Sequence, residues 1–278
     1  MPDVLISGGR GWLGALLVEG LEQKHYRVSQ FNPLENLPKN ISFLNPAPVA
    51  ILAGTNYGRG QSSEDLIDTH LTYVESFTLN ALTLNVGLII YIDTLLPKGY
   101  SPYADAKWFA REKLEKDIDG RIKLISIKLN TFFGSLIQRY SFTQDVLRAC
   151  YLNSKYFEIR CPDNIRDFIY IKDAVASILF VLDLYKKNDY VMGDPTLVFE
   201  VGSGSPTSFK EFAFLAKEVF GATTQFIQQD EPFIKEVLTT NTKAIRALGW
   251  RPQFTLRQAL EDTRIHLNSS PKNWRLNL

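Results

Sequence analysis

A glycine-rich turn near the start of the chain places the strongest constraint on its fold. Val4-Leu-Ile-Ser7 is typical of a short buried strand, and the turn Gly8-Gly-Arg-Gly-Trp-Leu-Gly14 follows it directly. Leucines then recur at the spacing of one helix face. Glycines spaced by three allow a tight turn, close approach of the backbone to a pyrophosphate, and close packing of helix on sheet. Because a helix N-terminus also favours an anion, this corner predicts a dinucleotide site rather than an ordinary glycine turn.

The end of the second predicted strand, Tyr26–Phe31, bears on which dinucleotide binds. An NAD-selective site has an acidic residue there to hold the ribose 2′-hydroxyl, and this chain has no carboxylate before Glu35. Arg10 lies inside the glycine turn, where a guanidinium could pair with a 2′-phosphate, although it could equally be a solvated surface residue. We therefore expect NADP(H) rather than NAD(H). The predicted cofactor-binding residues are Gly8, Gly9, Arg10, Gly11, Trp12, Leu13, Gly14, Ala53, Gly54, Tyr103 and Lys107.

A second motif, Ser101-Pro-Tyr-Ala-Asp-Ala-Lys107, places Tyr103 and Lys107 four residues apart, on one face of a helix. A lysine ammonium beside a phenol favours the phenolate and lowers the tyrosine pKa from its reference value of about 10. Tyr151 and Lys155 have the same spacing. Only the first pair follows an apolar run, residues 88–92, which is followed by Asp93 and the hydroxyl of Thr94. The context therefore predicts an acid–base role for Tyr103.

Strands alternate with helices through the first half of the chain. Short strands are predicted at 41–44 and 49–53, with no room between them for a crossover helix. Ser62 or Ser63 is predicted to cap the next helix. This alternation predicts an α/β fold: a doubly wound parallel sheet (Rossmann) with a smaller C-terminal α/β substrate domain. The expected bounds are 1–134 with about 166–202 returning for the NADP-binding domain, and 135–165 with 203–278 for the substrate domain.

Composition excludes several classes of function. The formal net charge of +1 gives no electrostatic reason to expect nucleic acid or a membrane surface as a partner. The sequence contains no apolar run of about 18 residues, and we expect no signal peptide. The three histidines are scattered, which predicts no metal site. With two cysteines in 278 residues, a cytoplasmic location is expected.

Six motifs in order resemble the extended short-chain dehydrogenase/reductase family, the NAD(P)-dependent epimerases, dehydratases and reductases of nucleotide sugars. They are the glycine turn 8–14, Thr94, the Tyr103/Lys107 pair, RDFIYIKDA at 166–174, VGSGSPTSFKEF at 201–212 and LGWRP at 248–252. The resemblance covers nearly the whole chain.

The resemblance implies specific roles. Thr94, Tyr103 and Lys107 would be catalytic: Thr94 would hydrogen-bond the reacting oxygen, Tyr103 would exchange its proton, and Lys107 would tune Tyr103 and hold the nicotinamide ribose. Arg166 would bind the substrate diphosphate, which suits a guanidinium; a surface ion pair with Asp167 is the alternative. The expected substrate-binding residues are Thr55, Tyr57, Thr94, Asn130, Arg139 and Arg166.

Departures from the family pattern narrow the reaction. Leu95 and Leu96 follow Thr94, where the dehydratases of the family have an Asp-Glu pair, so dehydration is disfavoured. Three stretches, 55–59, 92–107 with its short loop, and 166–174, look most similar to those of the paratose and abequose synthases. Those enzymes are reductases of a 4-keto group on CDP-linked dideoxyhexoses. We therefore expect an NADPH-dependent reductase of a nucleotide-linked 4-keto sugar, with Tyr103 as proton donor. A nucleotide-sugar epimerase with retained cofactor and a catalytically silent dinucleotide-binding regulator remain the alternatives. The family also implies a homodimer, through helices near 63–85 and 103–116.

Overall fold

The structure is a computed structural model that describes residues 3–35, 48–54, 60–135, 141–187, 194–229 and 235–269. The chain divides into two compact units, residues 1–129 with 175–199 and residues 130–174 with 200–278. Residues 166–174, which the sequence predicted to belong with the cofactor domain, cluster with the second unit. The roles of the two domains stay predictions.

A six-stranded parallel sheet forms the centre of the first unit, and it confirms the predicted fold class. The strands are β1 (Asp3–Ser7), β2 (Arg27–Phe31), β3 (Val49–Leu52), β4 (Leu88–Thr94), β5 (Lys123–Leu129) and β10 (Thr196–Val201). Their order is β10-β5-β4-β3-β1-β2. Because β1, β3 and β4 are parallel neighbours, the glycine turn, Gly54 and Thr94 follow strands at the same edge of the sheet. That edge is where open α/β sheets bind ligands.

Apolar runs form the inner strands because both of their faces are covered. All four residues of β3 are buried, and β4 is buried from Leu88 through Asp93. Phe77 and Leu114, from the two helices that pack on this sheet, join Leu52 and Tyr91 in one core cluster. The strand predicted at 41–44 lies outside the described residues.

Four helices contribute to the first unit: α1 (Trp12–Gln23), α2 (Ser63–Thr83), α3 (Pro102–Ile118) and most of α5 (Ile171–Lys186). The prediction that Ser62 caps α2 is confirmed, since its side chain accepts a hydrogen bond from the Asp65 amide at 3.1 Å. Helix α3 has Pro102 at its first position and Ser101 as its cap. These two residues fix where α3 begins and therefore where Tyr103 lies.

The second unit combines short strands with helices. Its remaining elements are β6 (Phe132–Phe133), α4 (Phe142–Tyr151), β7 (Tyr156–Ile159), β8 (Ile165–Arg166), β9 (Ile169–Tyr170), β11 (Thr207–Ser208), α6 (Phe209–Phe220), β12 (Gln225–Gln228), β13 (Val237–Leu238), α7 (Lys243–Ala247) and α8 (Leu256–Ser269). The strands form the small sheets β11-β8-β13, β12-β7 and β6-β9. Phe142 stacks on Phe209 with centroids 4.0 Å apart, and Phe212 packs against Phe168 at 4.5 Å. Within the described ranges, no helix is long and apolar enough to cross a bilayer.

Candidate active site

The glycine corner leaves no room for side chains at two of its positions. Gly8 has φ +86°, a left-handed conformation, and a Cβ there would collide with the backbone of Gly54. A Cβ on Gly14 would overlap the carbonyl of Gly8. The Gly11 amide donates to the Gly8 carbonyl at 3.0 Å and closes the turn. The backbone at this corner is therefore open to close approach by a ligand, as the glycine spacing predicts.

The N-terminus of α1 differs from those of four other helices. Helices α2, α3, α4 and α6 each have a serine cap whose side chain accepts from a first-turn amide. In α1 the cap is Gly11, which has no side chain to accept these bonds. The first-turn amides of a helix have no intrahelical acceptor, and with the helix dipole they favour an anion. The corner therefore fits the pyrophosphate of a dinucleotide.

Gln30, near the end of β2, lies against the glycine corner. A Cβ built on Gly9 would be 2.6 Å from the Gln30 side-chain oxygen, so the amide is in contact with the turn. Arg10 is exposed beside it. Trp12 and Leu13 are buried at the start of α1. A neutral amide thus stands near the end of β2, where an NAD-selective site would have a carboxylate.

Tyr73 on α2 lines the region beside the glycine corner, a contact that the sequence did not predict. Its hydroxyl hydrogen-bonds the side chain of Ser7, the last residue of β1, and a Cβ on Gly54 would lie 2.5 Å from that hydroxyl. Burial raises the pKa of Tyr73, so the phenol stays neutral at physiological pH. Ala53 and Gly54 are half-buried here, whereas the predicted substrate residues Thr55 and Tyr57 lie outside the described residues.

Thr94 ends β4 and is half-buried. Its amide donates to the Asp93 carboxylate at 2.8 Å, and its hydroxyl oxygen accepts from the Leu96 amide at 3.2 Å. The short loop that follows is tied to α3, because the Gly99 amide donates to Asp105 at 2.6 Å. Thr94 is therefore held in place, with its hydroxyl proton still able to be donated to a ligand.

Tyr103 is the second residue of α3 and is half-buried. At this position the positive end of the helix dipole favours a phenolate. The buried ring of His70, on α2, stands edge-on to Tyr103 with centroids 6.4 Å apart and an interplanar angle of 81°. The sequence placed His70 only among scattered histidines, and its position one helix away gave no signal of this contact.

Lys107 is buried, with 1% of its surface exposed, one helical turn after Tyr103. Its ammonium donates to the Ile92 carbonyl at 2.5 Å and lies 4.2 Å from the centre of the Tyr91 ring. Burial lowers the pKa of Lys107 to about 8, and the negative charge of Asp93 opposes that shift. Lys107 therefore still has its charge at neutral pH, which the predicted stabilisation of a Tyr103 phenolate requires.

Asp93 and Arg111 form an ion pair beside this lysine that the sequence did not predict. The Arg111 guanidinium donates to the Asp93 carboxylate at 2.9 Å, and only 1% of the Asp93 side chain is exposed. A carboxylate that ends an apolar strand was the available signal, since such groups are seldom buried without a partner. The sequence gave no indication that the partner would be Arg111, 18 residues later.

Arg166 and Asn130 belong to the second unit. Arg166 is buried and donates to Glu236 at 2.6 Å, with its guanidinium 5.4 Å from the Phe209 ring. The alternative placed Arg166 and Asp167 at the surface, and that location is wrong, because both residues are buried and Asp167 accepts from Ser203 and Gly204. The Asn130 amide donates to the Leu238 carbonyl and to Thr240, so it fastens the unit internally. Arg139 lies outside the described residues.

Comparison with known proteins shows that the chain is similar to enzymes that make nucleotide sugars. No family model matches it. CDP-abequose synthase of Salmonella typhimurium (strain LT2) is 22% identical over 297 residues, which cover 93% of this chain and 96% of that protein. Probable GDP-L-fucose synthase 1 of Oryza sativa subsp. japonica is 28% identical over 100 residues, 36% of this chain and 28% of that protein. The resemblance predicted from the motifs is confirmed. The chain is similar to the extended short-chain dehydrogenases/reductases.

Several solved structures share the fold of this chain. UDP-glucose 4-epimerase of Thermus thermophilus, in complex with NAD, has a TM-score of 0.75 at 16% identity, covering 96% of this chain and 99% of that one. RMD of Pseudomonas aeruginosa, complexed with NADPH, has a TM-score of 0.76 at 15% identity, covering 97% and 99%. Proteins of this fold thus bind either dinucleotide, and the named relatives are enzymes. Among the described residues there is no group of three potential metal ligands.

Proposed function

We propose that the protein is an NADPH-dependent reductase of a nucleotide-linked 4-keto deoxy sugar. The observation that carries the proposal is the buried Lys107 one turn after Tyr103, bonded to the strand that ends at Thr94. A lysine charge buried at this position suits the stabilisation of a Tyr103 phenolate, which a dinucleotide-binding module without catalysis would not need. Because burying a cation is unfavourable, its position favours a functional role.

The three residues have complementary parts in the reduction. A bound NADPH supplies the hydride that adds to the keto carbon. Tyr103 gives its proton to the sugar oxygen as that oxygen gains charge, so that ketone and hydride become an alcohol. The Thr94 hydroxyl donates a hydrogen bond to the same oxygen. Lys107 stabilises the Tyr103 phenolate until the phenol regains a proton from solvent.

Several features favour a reductase over a dehydratase. Leu95 and Leu96 offer no carboxyl group for the elimination of water. The two curated relatives described above, a CDP-abequose synthase and a GDP-L-fucose synthase, have names that also fit a reductive last step. Arg166 is proposed to bind the diphosphate, because its planar guanidinium suits a phosphate geometrically. Thr55, Tyr57, Asn130 and Arg139 stay candidates for the sugar and nucleoside.

The proposal also covers the oligomeric state of the protein and its location in the cell. We expect a homodimer through α2 and α3, since Leu79 on α2 is 60% exposed and large apolar side chains favour burial. Cys150 and Cys161 are both free thiols, which suits the reducing cytoplasm.

Cofactor choice can be tested at Gln30. In Gln30→Glu, the new carboxylate would accept from a ribose 2′-hydroxyl and repel a 2′-phosphate. We expect kcat/KM with NADPH to fall and kcat/KM with NADH to rise, each by about tenfold, since one charge-assisted hydrogen bond contributes roughly 1.5–3 kcal/mol. If kcat/KM with each cofactor is the same in Gln30→Glu as in the wild type, Gln30 has no part in the choice of cofactor.

Net consumption of cofactor tests the reaction itself. The purified protein is incubated with NADPH and CDP-, UDP-, GDP- or dTDP-linked 4-keto sugars, and the products are quantified. The reductase predicts one NADPH oxidised per alcohol formed with at least one of these substrates. An epimerase with retained cofactor predicts a changed sugar without net NADPH oxidation. A silent regulator predicts NADPH binding with no product, and either result would end the proposal.

A further inference from the structure

We propose that Asp93 is a positioning residue for this reduction, whose buried carboxylate keeps Lys107 charged and fixes the backbone of Thr94. The inference rests on the proposed function, because it assigns Asp93 a role through two residues of that site. It adds a residue that the Tyr103/Lys107 motif does not contain.

The geometry connects Asp93 with both partners. One carboxylate oxygen accepts the Thr94 amide at 2.8 Å, and the other accepts the Arg111 guanidinium at 2.9 Å. Lys107 donates to the carbonyl of Ile92, the residue directly before Asp93. A movement of Asp93 would therefore shift both the hydroxyl at the end of β4 and the carbonyl that anchors the ammonium.

Charge in this pocket is unevenly balanced. Tyr91 on β4 lies against Lys107, and His70 on α2 lies against Tyr103. Around Asp93, the other charged groups are Arg111 and Glu115 on α3 and Lys128 on β5. Tyr91 stays neutral because burial strongly raises its pKa. Glu115 lies 3.8 Å from the Arg111 guanidinium and is only partly buried. Asp93 is thus the buried negative charge available to offset the loss of water around the ammonium.

Arg111 pairs directly with this carboxylate, so its positive charge offsets part of the negative charge that Asp93 presents to Lys107. The Arg111 side chain is 15% exposed, so part of its own charge remains hydrated. The competing explanation is mechanical: the ion pair between Asp93 and Arg111 simply fastens α3 to β4.

Two variants distinguish these explanations. Asp93→Asn removes the charge but retains an oxygen for the Thr94 amide, and Arg111→Met breaks the ion pair but retains the carboxylate. Asp117→Asn is the matched control, because Asp117 pairs with Lys113 on the same helix. The readout is the unfolding free energy from about pH 6 to 10.5 by urea titration, in the wild-type and Lys107→Met backgrounds. The difference between backgrounds isolates the proton of Lys107.

The pKa of Lys107 is lowered on folding, so its contribution to the unfolding free energy rises with pH between its folded and unfolded values. In Asp93→Asn, we expect the rise in unfolding free energy to begin about one pH unit lower. The loss of a nearby opposite charge lowers the pKa of Lys107 in the folded state. Arg111→Met is expected to leave the starting pH unchanged or higher, and Asp117→Asn to leave it unchanged. In Asp93→Asn, the pH at which reductase activity falls on the alkaline side should be lower by the same amount.

An unchanged starting pH in Asp93→Asn, or an equal fall in both variants, would overturn the inference and leave a structural ion pair. Because unfolding is measured without substrate, the result stands even if no keto sugar is reduced. Should Asp93→Asn not fold, Arg111→Met alone decides, since a lower starting pH there contradicts the role given to Asp93.

Discussion

Each unit of the molecule buries one cation among the predicted site residues, and the two are stabilised differently. Lys107 has 1% of its surface exposed and bonds a neutral carbonyl, with Asp93 as a nearby charge. Arg166 has 5% exposed and pairs directly with Glu236 at 2.6 Å. The lysine pKa falls to about 8, close to working pH, whereas a guanidinium stays protonated in proteins. We therefore propose that Lys107 supports the proton transfer by Tyr103 and that Arg166 holds an anion.

The largest effect is expected from removing the lysine charge. In Lys107→Met the Tyr103 phenolate loses its stabilising cation, so kcat for keto-sugar reduction should fall by about 10²–10⁴-fold. Binding of the nucleoside diphosphate, measured by calorimetry, should change little. A parallel loss of diphosphate affinity would contradict the separation of roles between the two cations.

A smaller effect is expected at the arginine. Arg166→Lys retains the charge but loses the planar fork, so KM for the nucleotide sugar should rise by about 10–100-fold with kcat nearly unchanged. Arg257→Lys is the control, because Arg257 forms an exposed pair with Glu218. A fall in kcat with constant KM at Arg166→Lys would assign it to the chemistry instead.

The pH dependence of stability should separate the two cations further. The lysine pKa rises from about 8 when folded to 10.5 when unfolded, so the unfolded state binds more protons between these values. The unfolding free energy should therefore gain about 3 kcal/mol from Lys107 as pH rises from 8 to 10.5, at about 1.36 kcal/mol per unit over 2.5 units. Urea titrations of wild type and Lys107→Met test this. An identical pH dependence in the two would show that Lys107 is not buried as described.

The smallest effects are expected at the helix caps near each cation. Ser101 caps the helix of Tyr103 and Lys107, and Ser208 caps α6 beside Arg166. Each serine-to-alanine change should lower the unfolding free energy by about 1 kcal/mol. Only Ser101→Ala should also reduce kcat, because it loosens the turn that holds Tyr103. Equal effects on kcat would show that the start of α3 is not critical.

The elements of the fold were predictable where local pattern decides them. The apolar runs, the glycine corner and the Ser62 cap gave the parallel sheet and its helices, because strand and capping signals are local. The position of Lys107 relative to Tyr103 followed from helix spacing alone. Asp93–Arg111, His70 beside Tyr103 and Arg166–Glu236 were not predictable, since each pairs side chains that only tertiary packing brings together. Glu236 lies 70 residues after Arg166, and no local pattern reports such a contact.

The most direct measurement of the central claim is single-turnover reduction of a 4-keto nucleotide sugar by NADPH in Tyr103→Phe and Tyr151→Phe. Tyr151 also precedes a lysine by four residues, but it lies in α4 and its hydroxyl donates to the Leu267 carbonyl. We predict that Tyr103→Phe slows the hydride step by about 10²–10⁴-fold while NADPH binding persists, and that Tyr151→Phe leaves it unchanged. A wild-type hydride rate in Tyr103→Phe would contradict the account.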